Sequence, residues 1–307
     1  MKIVIKILLI TLLISPSITS ATNDVSSYAS NKANSLLHDS VSNFYSSLSK
    51  GTSDVIKNYF GNEGTTDVSL TAGKDMQPMG SIVLVRPLTE MKINDVWFTQ
   101  TQLNNYLIKG KDRQALNFGV GYRKLSEDKS HFWGLNTFFD IDSKNHQRVS
   151  FGGELVSGPF EITGNYYSGL SGSKKVGDFN ERVLDGYDLI VGGQIPYLPW
   201  AKIYYENYSW NSIKNSKDSA GNKLSTEIQL TKNISFEAGI NDNAITGKDE
   251  YVMVTYSYPP SEKPTISDGY STQAFENSDV SKQMLRKVKR TNKVVVELEG
   301  ALIVKGF

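Results

Sequence analysis

The chain has 307 residues (34.1 kDa), with 33 Lys and Arg against 32 Asp and Glu and a formal net charge of +1. It therefore carries no bulk positive charge for a nucleic-acid backbone. Without cysteine it has no disulfide, thiolate metal site or thiol nucleophile, and its three histidines, His38, His131 and His146, match no zinc-ligand spacing. No cofactor or metal is expected. The composition stands out in its 16 Tyr, 13 Phe, 4 Trp and 25 Gly, and in how these residues are distributed.

Residues 1–21 have a basic start (Lys2, Lys6), a short apolar stretch from Ile7 to Ile14, a breaker at Pro16 and small residues up to Ala21. That layout predicts a secretory signal peptide, and the stretch falls short of the roughly 20 apolar residues a membrane-spanning helix needs. Residues 22–64 form the next expected unit, a periplasmic helical segment. Leu37, Val41, Phe44 and Leu48 recur there at helical spacing before Gly61 and Gly64 end the pattern.

Beyond Thr65 the period changes from 3.6 to 2, and twelve strands are predicted near 66–72, 79–86, 95–102, 113–122, 131–140, 147–156, 160–168, 186–195, 200–209, 223–230, 234–241 and 250–258. The fourth, sixth, seventh, tenth and eleventh each have one apolar face and one small, polar or acidic face. In the fourth, Leu116, Phe118, Val120 and Tyr122 oppose Asn117, Gly119 and Gly121; in the seventh, Phe160, Ile162 and Tyr166 oppose Glu161, Thr163 and Asn165. No later apolar run is long enough for a helix to span a bilayer, so a membrane crossing would have to use strands.

A soluble sandwich alternates in the same way, so aromatic placement and connection length decide. Trp97, Tyr122, Trp133, Tyr166, Trp200, Tyr256 and Tyr258 fall near strand ends, as an interfacial aromatic girdle requires. Tight connections at 157–159, 196–199 and 231–233 alternate with long polar ones at 170–185, 210–222 and 242–249. The connection at 123–130 is longer than the other tight ones. These features predict an all-β, twelve-stranded antiparallel transmembrane barrel over 65–259, with a linker helix and C-terminal tail over 260–307.

In such a barrel Phe118, Phe151, Ile162, Ile203 and Phe236 are expected to face lipid. Asn117, Asn165 and a lumen wall of Glu154, Glu161, Glu206, Glu227 and Glu237 are expected to face inward. A charge at Phe151 is expected to cost about 2–4 kcal/mol, while Glu154→Arg is expected to be tolerated. The tail carries Arg286, Lys287, Lys289, Arg290 and Lys293, a basic pore linker facing that acidic wall. The expectation is a helix at the mouth beginning at Asp279, an extended run over 294–299 through the pore, and emergence of Lys305 outside.

Several segments resemble the β-domain of inverse autotransporters, the intimin/invasin group of type V secretion. They are Gln114-Ala-Leu-Asn-Phe-Gly-Val-Gly-Tyr122, Gly134-Leu-Asn-Thr-Phe-Phe-Asp140, His146-Gln-Arg-Val-Ser-Phe-Gly-Gly-Glu154, Asn180-Glu-Arg-Val-Leu-Asp-Gly-Tyr-Asp188, Leu198-Pro-Trp-Ala-Lys-Ile-Tyr-Tyr-Glu206 and Met284-Leu-Arg-Lys-Val-Lys-Arg-Thr-Asn-Lys293. The resemblance implies a Gram-negative outer-membrane barrel with a periplasmic N-terminus, whose C-terminal linker returns through the pore to display a passenger in cell adhesion. It implies outer-membrane lipid, the barrel-assembly machinery and periplasmic chaperones as partners. The family's adhesins continue with Ig-like repeats where this sequence stops at Phe307, so adhesion through a passenger does not carry over. A stand-alone outer-membrane pore, with the tail as a plug, or a structural barrel is the alternative.

Enzymatic readings are weaker. His146 with Ser150, or His131 with Asp140, could pair a base with a nucleophile or a carboxylate, but neither comes with an orienting third group. The glycine pairs 119/121 and 192/193 lack the lysine and helix start of a phosphate cradle. Asp140 with Asp142, and Asp242 with Asp249, read as loop charge rather than cation ligands.

Overall fold

The computed structural model describes residues 64–73, 76–90, 94–108, 111–214, 217–275 and 279–298. The signal peptide and the helical segment expected before residue 64 lie outside these residues, as does Lys305.

Twelve strands close into one antiparallel barrel. They are β1 (Thr65–Gly73), β2 (Met76–Pro87), β3 (Asp95–Ile108), β4 (Lys111–Leu125), β5 (His131–Asp142), β6 (Gln147–Ser157), β7 (Phe160–Gly169), β10 (Gly186–Ile195), β11 (Leu198–Trp210), β12 (Ser219–Gln229), β13 (Ile234–Asn243) and β14 (Gly247–Tyr258). Each pairs with its barrel neighbours in sequence, and β1 pairs with β14 from Thr66↔Tyr258 to Gly73↔Tyr251, which removes the free edges. Three short strands, β8 (Lys174–Val176), β9 (Phe179–Val183) and β15 (Val296–Leu298), make a separate sheet in the order β15-β9-β8.

Period-2 alternation forms the barrel because the two faces meet different surroundings. Phe118, Leu135, Phe139, Phe151, Leu155, Ile162, Leu189 and Ile203 are exposed on the outside, while Gln100, Asn117, Asp140, Arg148, Thr163 and Asp188 are buried inside. Gly119 and Gly121 also point inward. A Cβ at either would sit 2.4 Å from the Phe138 or Phe98 ring, so the absence of side chains there lets those rings lie against the wall.

The connections sort into two ends. At one end, called here the turn end, the 123–130 connection is shorter than expected because β4 runs on to Leu125 and β5 starts at His131. Ser126 Oγ (2.6 Å), Ser130 N (3.1 Å) and Ser130 Oγ (2.8 Å) all donate to Asp128 Oδ1. These donors stabilise the charged carboxylate and bring its pKa down to about 2. At the opposite, loop end the expected long connection at 242–249 closes as a three-residue turn, since β13 reaches Asn243 and β14 begins at Gly247, which has a φ of +81°. The 170–185 connection is long and carries the β8–β9 hairpin.

Candidate functional site

The lumen is the candidate site, and residues 280–298 run through it from the turn end to the loop end. At the turn end Val280 N donates to Lys129 O (3.0 Å). Arg123 then grips the tail backbone, with Nη1 on Met284 O (2.8 Å) and Arg286 O (2.7 Å). Val280, Met284, Leu285 and Val288 join Val83, Val85, Phe98, Phe132, Phe138 and Val156 in an apolar cluster inside the barrel. A third of that core therefore comes from the segment passing the wall, which favours the filled lumen over the empty one.

Further along, the tail's cations meet wall carboxylates in turn. Arg286 pairs with Glu161, which also takes Lys202 Nζ (3.2 Å) and the Tyr204 hydroxyl (2.8 Å). Lys287 reaches Asp67 (3.4 Å). Lys289 lies 3.7 Å from Glu227 Oε2 and 3.5 Å from the Tyr204 ring centroid. Arg290 makes a two-pronged pair with Asp140 (2.9 and 2.7 Å), donates to Ser150 Oγ (3.0 Å) and stacks 4.2 Å above the Phe138 ring. Lys293 Nζ approaches Met79 Sδ (3.4 Å) beside the Tyr106 ring.

The tail is extended where a helix was expected. The helical piece among the described residues of 279–298 is one 3-10 turn, Ser281–Gln283, with Asp279 Oδ1 accepting from Ser281 N (2.8 Å). Beyond it the backbone groups bond to wall side chains instead of to each other. Val288 N donates to Gln100 Oε1 (2.7 Å) and Thr291 N to the Tyr167 hydroxyl (2.8 Å). Lys289 O accepts from Asn165 (3.0 Å), and Asn292 O from Asn117 (2.9 Å). The polar wall satisfies the strand-like backbone that a helix would have satisfied internally. A second correction follows: the basic run itself crosses the lumen, and Val294 onward has already reached the loop end. Val295 O accepts from Leu184 N (3.1 Å), β15 pairs with β9, and Glu297 takes Ser212 Oγ (2.5 Å) and the Ile213 and Lys214 amides (3.1 Å).

The five wall glutamates divide. Glu161 and Glu227 meet the tail, with Lys263 also on Glu227 (3.2 Å). Glu154 is held by Arg123 Nε (2.7 Å), Glu206 by Lys223 (2.8 Å), and Glu237 accepts from the Tyr251 hydroxyl (2.7 Å). The wall is thus a lattice of paired charges and not a uniformly acidic surface, because a buried charge without a partner is too costly to keep. Arg113, Arg123 and Arg148 have the same inward parity as Asn117 and Ser150. That parity was visible in the sequence and would have identified them, along with Asp67 and Asp140, as members of the lattice.

Other expected groups separate. Trp97, Trp133 and Tyr166 are exposed on the outer face, where Tyr122 stands between Trp97 and Trp133 and Tyr256 and Tyr258 share the outward parity. Trp200 does not join them. It has the inward parity, is 4% exposed, and donates its Nε1 to Gly269 O (2.7 Å). His146 is engaged by Asp142 (3.1 Å) in a buried group with Arg113 and Glu181 while Ser150 receives Arg290, and His131 and Asp140 lie towards opposite ends of β5. Neither weighed pair forms. Asp140 and Asp142 bind arginines, and Asp242 faces Lys248 (3.3 Å).

Comparison with known proteins agrees with this architecture. The family described as inverse autotransporter, beta-domain, matches residues 15–292. An attaching and effacing protein homolog of Escherichia coli (strain K12) is 28% identical over 226 residues, 68% of this chain and 74% of that protein. Invasin of Yersinia enterocolitica is 29% identical over 192 residues, covering 60% of this chain and 21% of invasin. Intimin of Citrobacter freundii is 29% identical over 156 residues, 49% and 16% of the two chains. A barrel solved in work on the in-meso crystallization of membrane proteins superposes with a TM-score of 0.63 at 19% identity, over 76% of this chain and 99% of that one. With a match that runs almost from end to end of the barrel and its tail, the chain belongs to the inverse autotransporter β-domain family, a group of outer-membrane, adhesin-type barrels and not of enzymes.

Proposed function

We propose that this barrel anchors and threads its own C-terminal segment: the turn end faces the periplasm, the loop end faces outward, and the tail is presented at the cell surface. The observation that carries this reading is the continuous route of residues 280–298 along the lumen, with a wall partner at Arg286, Lys287, Lys289 and Arg290. A plug folded into the mouth would need no such ladder, and it would not end paired to a strand of the loop-end hairpin. Residues 1–21 direct export across the inner membrane, and periplasmic chaperones and the barrel-assembly machinery deliver the chain to the outer membrane. The relatives named intimin and invasin support reading the barrel as the anchor of an adhesin-type protein.

Planar-bilayer recording of the full chain tests the filled lumen. The expected trace is closed or nearly so, and the double variant Arg286→Ala/Arg290→Ala opens more often because two of the tail's pairs are gone. A steadily open channel of empty-barrel size in the unmodified chain would overturn the threaded reading and leave a stand-alone pore.

A further inference from the structure

At the turn end, outward aromatic rings are supplied by Trp97, Tyr122 and Trp133 on β3–β5, Phe160 on β7, and Tyr256 and Tyr258 on β14. Across β10–β12 the outward positions at this end are Gly193, Ala201, Ile203 and Ile228, none of them aromatic. Trp200 lies in that sector but turns inward, and its indole holds Gly269 of the linker.

The linker is tied to the rim immediately beyond that point. Ser271 N donates to Tyr197 O (2.9 Å) and Tyr197 N donates to Ala274 O (3.0 Å), which is also within 3.4 Å of Gln194 Nε2. Tyr197 adopts a φ of +66°, unusual for a residue with a side chain, at the tip of the β10–β11 turn. This tether carries the linker over the outside of the rim: the Phe275 ring lies 5.1 Å from that of Phe160, which shares the outward parity of Ile162 and Tyr166. Phe160, Tyr197, Tyr270 and Phe275 are all exposed, at 51%, 52%, 53% and 40%.

We propose that Tyr270 and Phe275 of the linker, with Tyr197 and Phe160, form a lipid-contacting clamp that completes the aromatic girdle over β10–β12 in the periplasmic leaflet. Large exposed rings grouped in this way mark a surface that meets something less polar than water. Their patch is continuous with the lipid-facing band through Phe160 and Ile162, and rings with a polar tip suit the headgroup boundary. The clamp pins the linker to the bilayer just before it turns into the lumen. The inference rests on the barrel being in a membrane and does not depend on export of the tail.

The absence of native cysteine allows single reporters in the full chain. Phe275→Cys, Tyr270→Cys, Phe160→Cys and Lys232→Cys are each nitroxide-labelled in vesicles of phosphatidylethanolamine and phosphatidylglycerol. Collision rates with oxygen, which concentrates among acyl chains, and with a water-soluble nickel chelate are compared. At 270 and 275 the oxygen-to-nickel ratio is expected to match that at 160 and to exceed that at 232, an exposed turn. Tyr270→Cys keeps the test open if Phe275→Cys disturbs the ring pair. A ratio at 270 and 275 like that at 232 overturns the clamp. So does shielding from both reagents, which would mean that residues 22–63 or a second copy covers the patch. Nickel dominance at 160 as well overturns the membrane placement of the barrel, and the clamp with it.

Discussion

Asp140→Ala is expected to cost the folded protein about 3–5 kcal/mol, the usual loss when one partner of a buried ion pair is removed. Its side chain is fully buried and accepts from Arg148 Nε (2.8 Å), both terminal nitrogens of Arg290 and Asn117 Nδ2 (2.7 Å). Deletion leaves two guanidinium groups facing each other without an anion. Asp140→Asn keeps the shape and one acceptor but loses the charge, so it also destabilises, by less. Arg290→Ala is milder for the barrel, because Asp140 then still holds Arg148, but it loosens the tail. The readout is the urea concentration at which the heat-resistant, fast-migrating form is lost. An unchanged midpoint in Asp140→Ala would contradict the lattice described for the lumen.

The second large effect lies on the outside. Phe151 is 62% exposed near the middle of β6, and Phe151→Arg places a guanidinium against acyl chains at a cost of about 2–4 kcal/mol near the midplane. Glu154→Arg, expected from the sequence to be the tolerated counterpart, is not one. Glu154 is buried against Arg123 at 2.7 Å, so the change would set two buried guanidiniums side by side. The appropriate lumen control is Glu237→Gln, which keeps an acceptor for the Tyr251 hydroxyl. Loss of the heat-resistant form in Phe151→Arg alone is the expected pattern; equal loss in both, or none in Phe151→Arg, contradicts the assignment of faces.

Strand number and face were legible because a barrel strand has only two surroundings and they are opposite. Leu116 to Tyr122 alternates so cleanly that the outward set follows from parity. Strand ends were less legible. β12 begins at Ser219 rather than near 223 because Ser219 to Lys223 holds only small or polar residues, so alternation has nothing large and apolar to mark. β8 and β9 are only three and five residues long, too short for alternation to mark. β15 lies inside the run 294–299 expected to be extended, but its pairing could not be found locally because its partner, Val183 opposite Val296, lies far away in the chain. Within the lumen, parity gives the face but not the height. It placed Glu154 and Glu161 inside together, and only the register sends the first to Arg123 and the second to Arg286. Helix formation in the tail was misjudged because sequence cannot show that Gln100, Asn117, Asn165 and Tyr167 stand ready to take its backbone groups.

The threaded, surface-presented tail is tested most directly by two single cysteines in intact cells. Lys305→Cys follows the described tail beyond β15, and Lys232→Cys sits on the β12–β13 turn. A membrane-impermeant maleimide is expected to label position 305 on intact cells, and position 232 only after the outer membrane is permeabilised. Labelling of 232 on intact cells with 305 protected would contradict both the direction of threading and the orientation of the barrel.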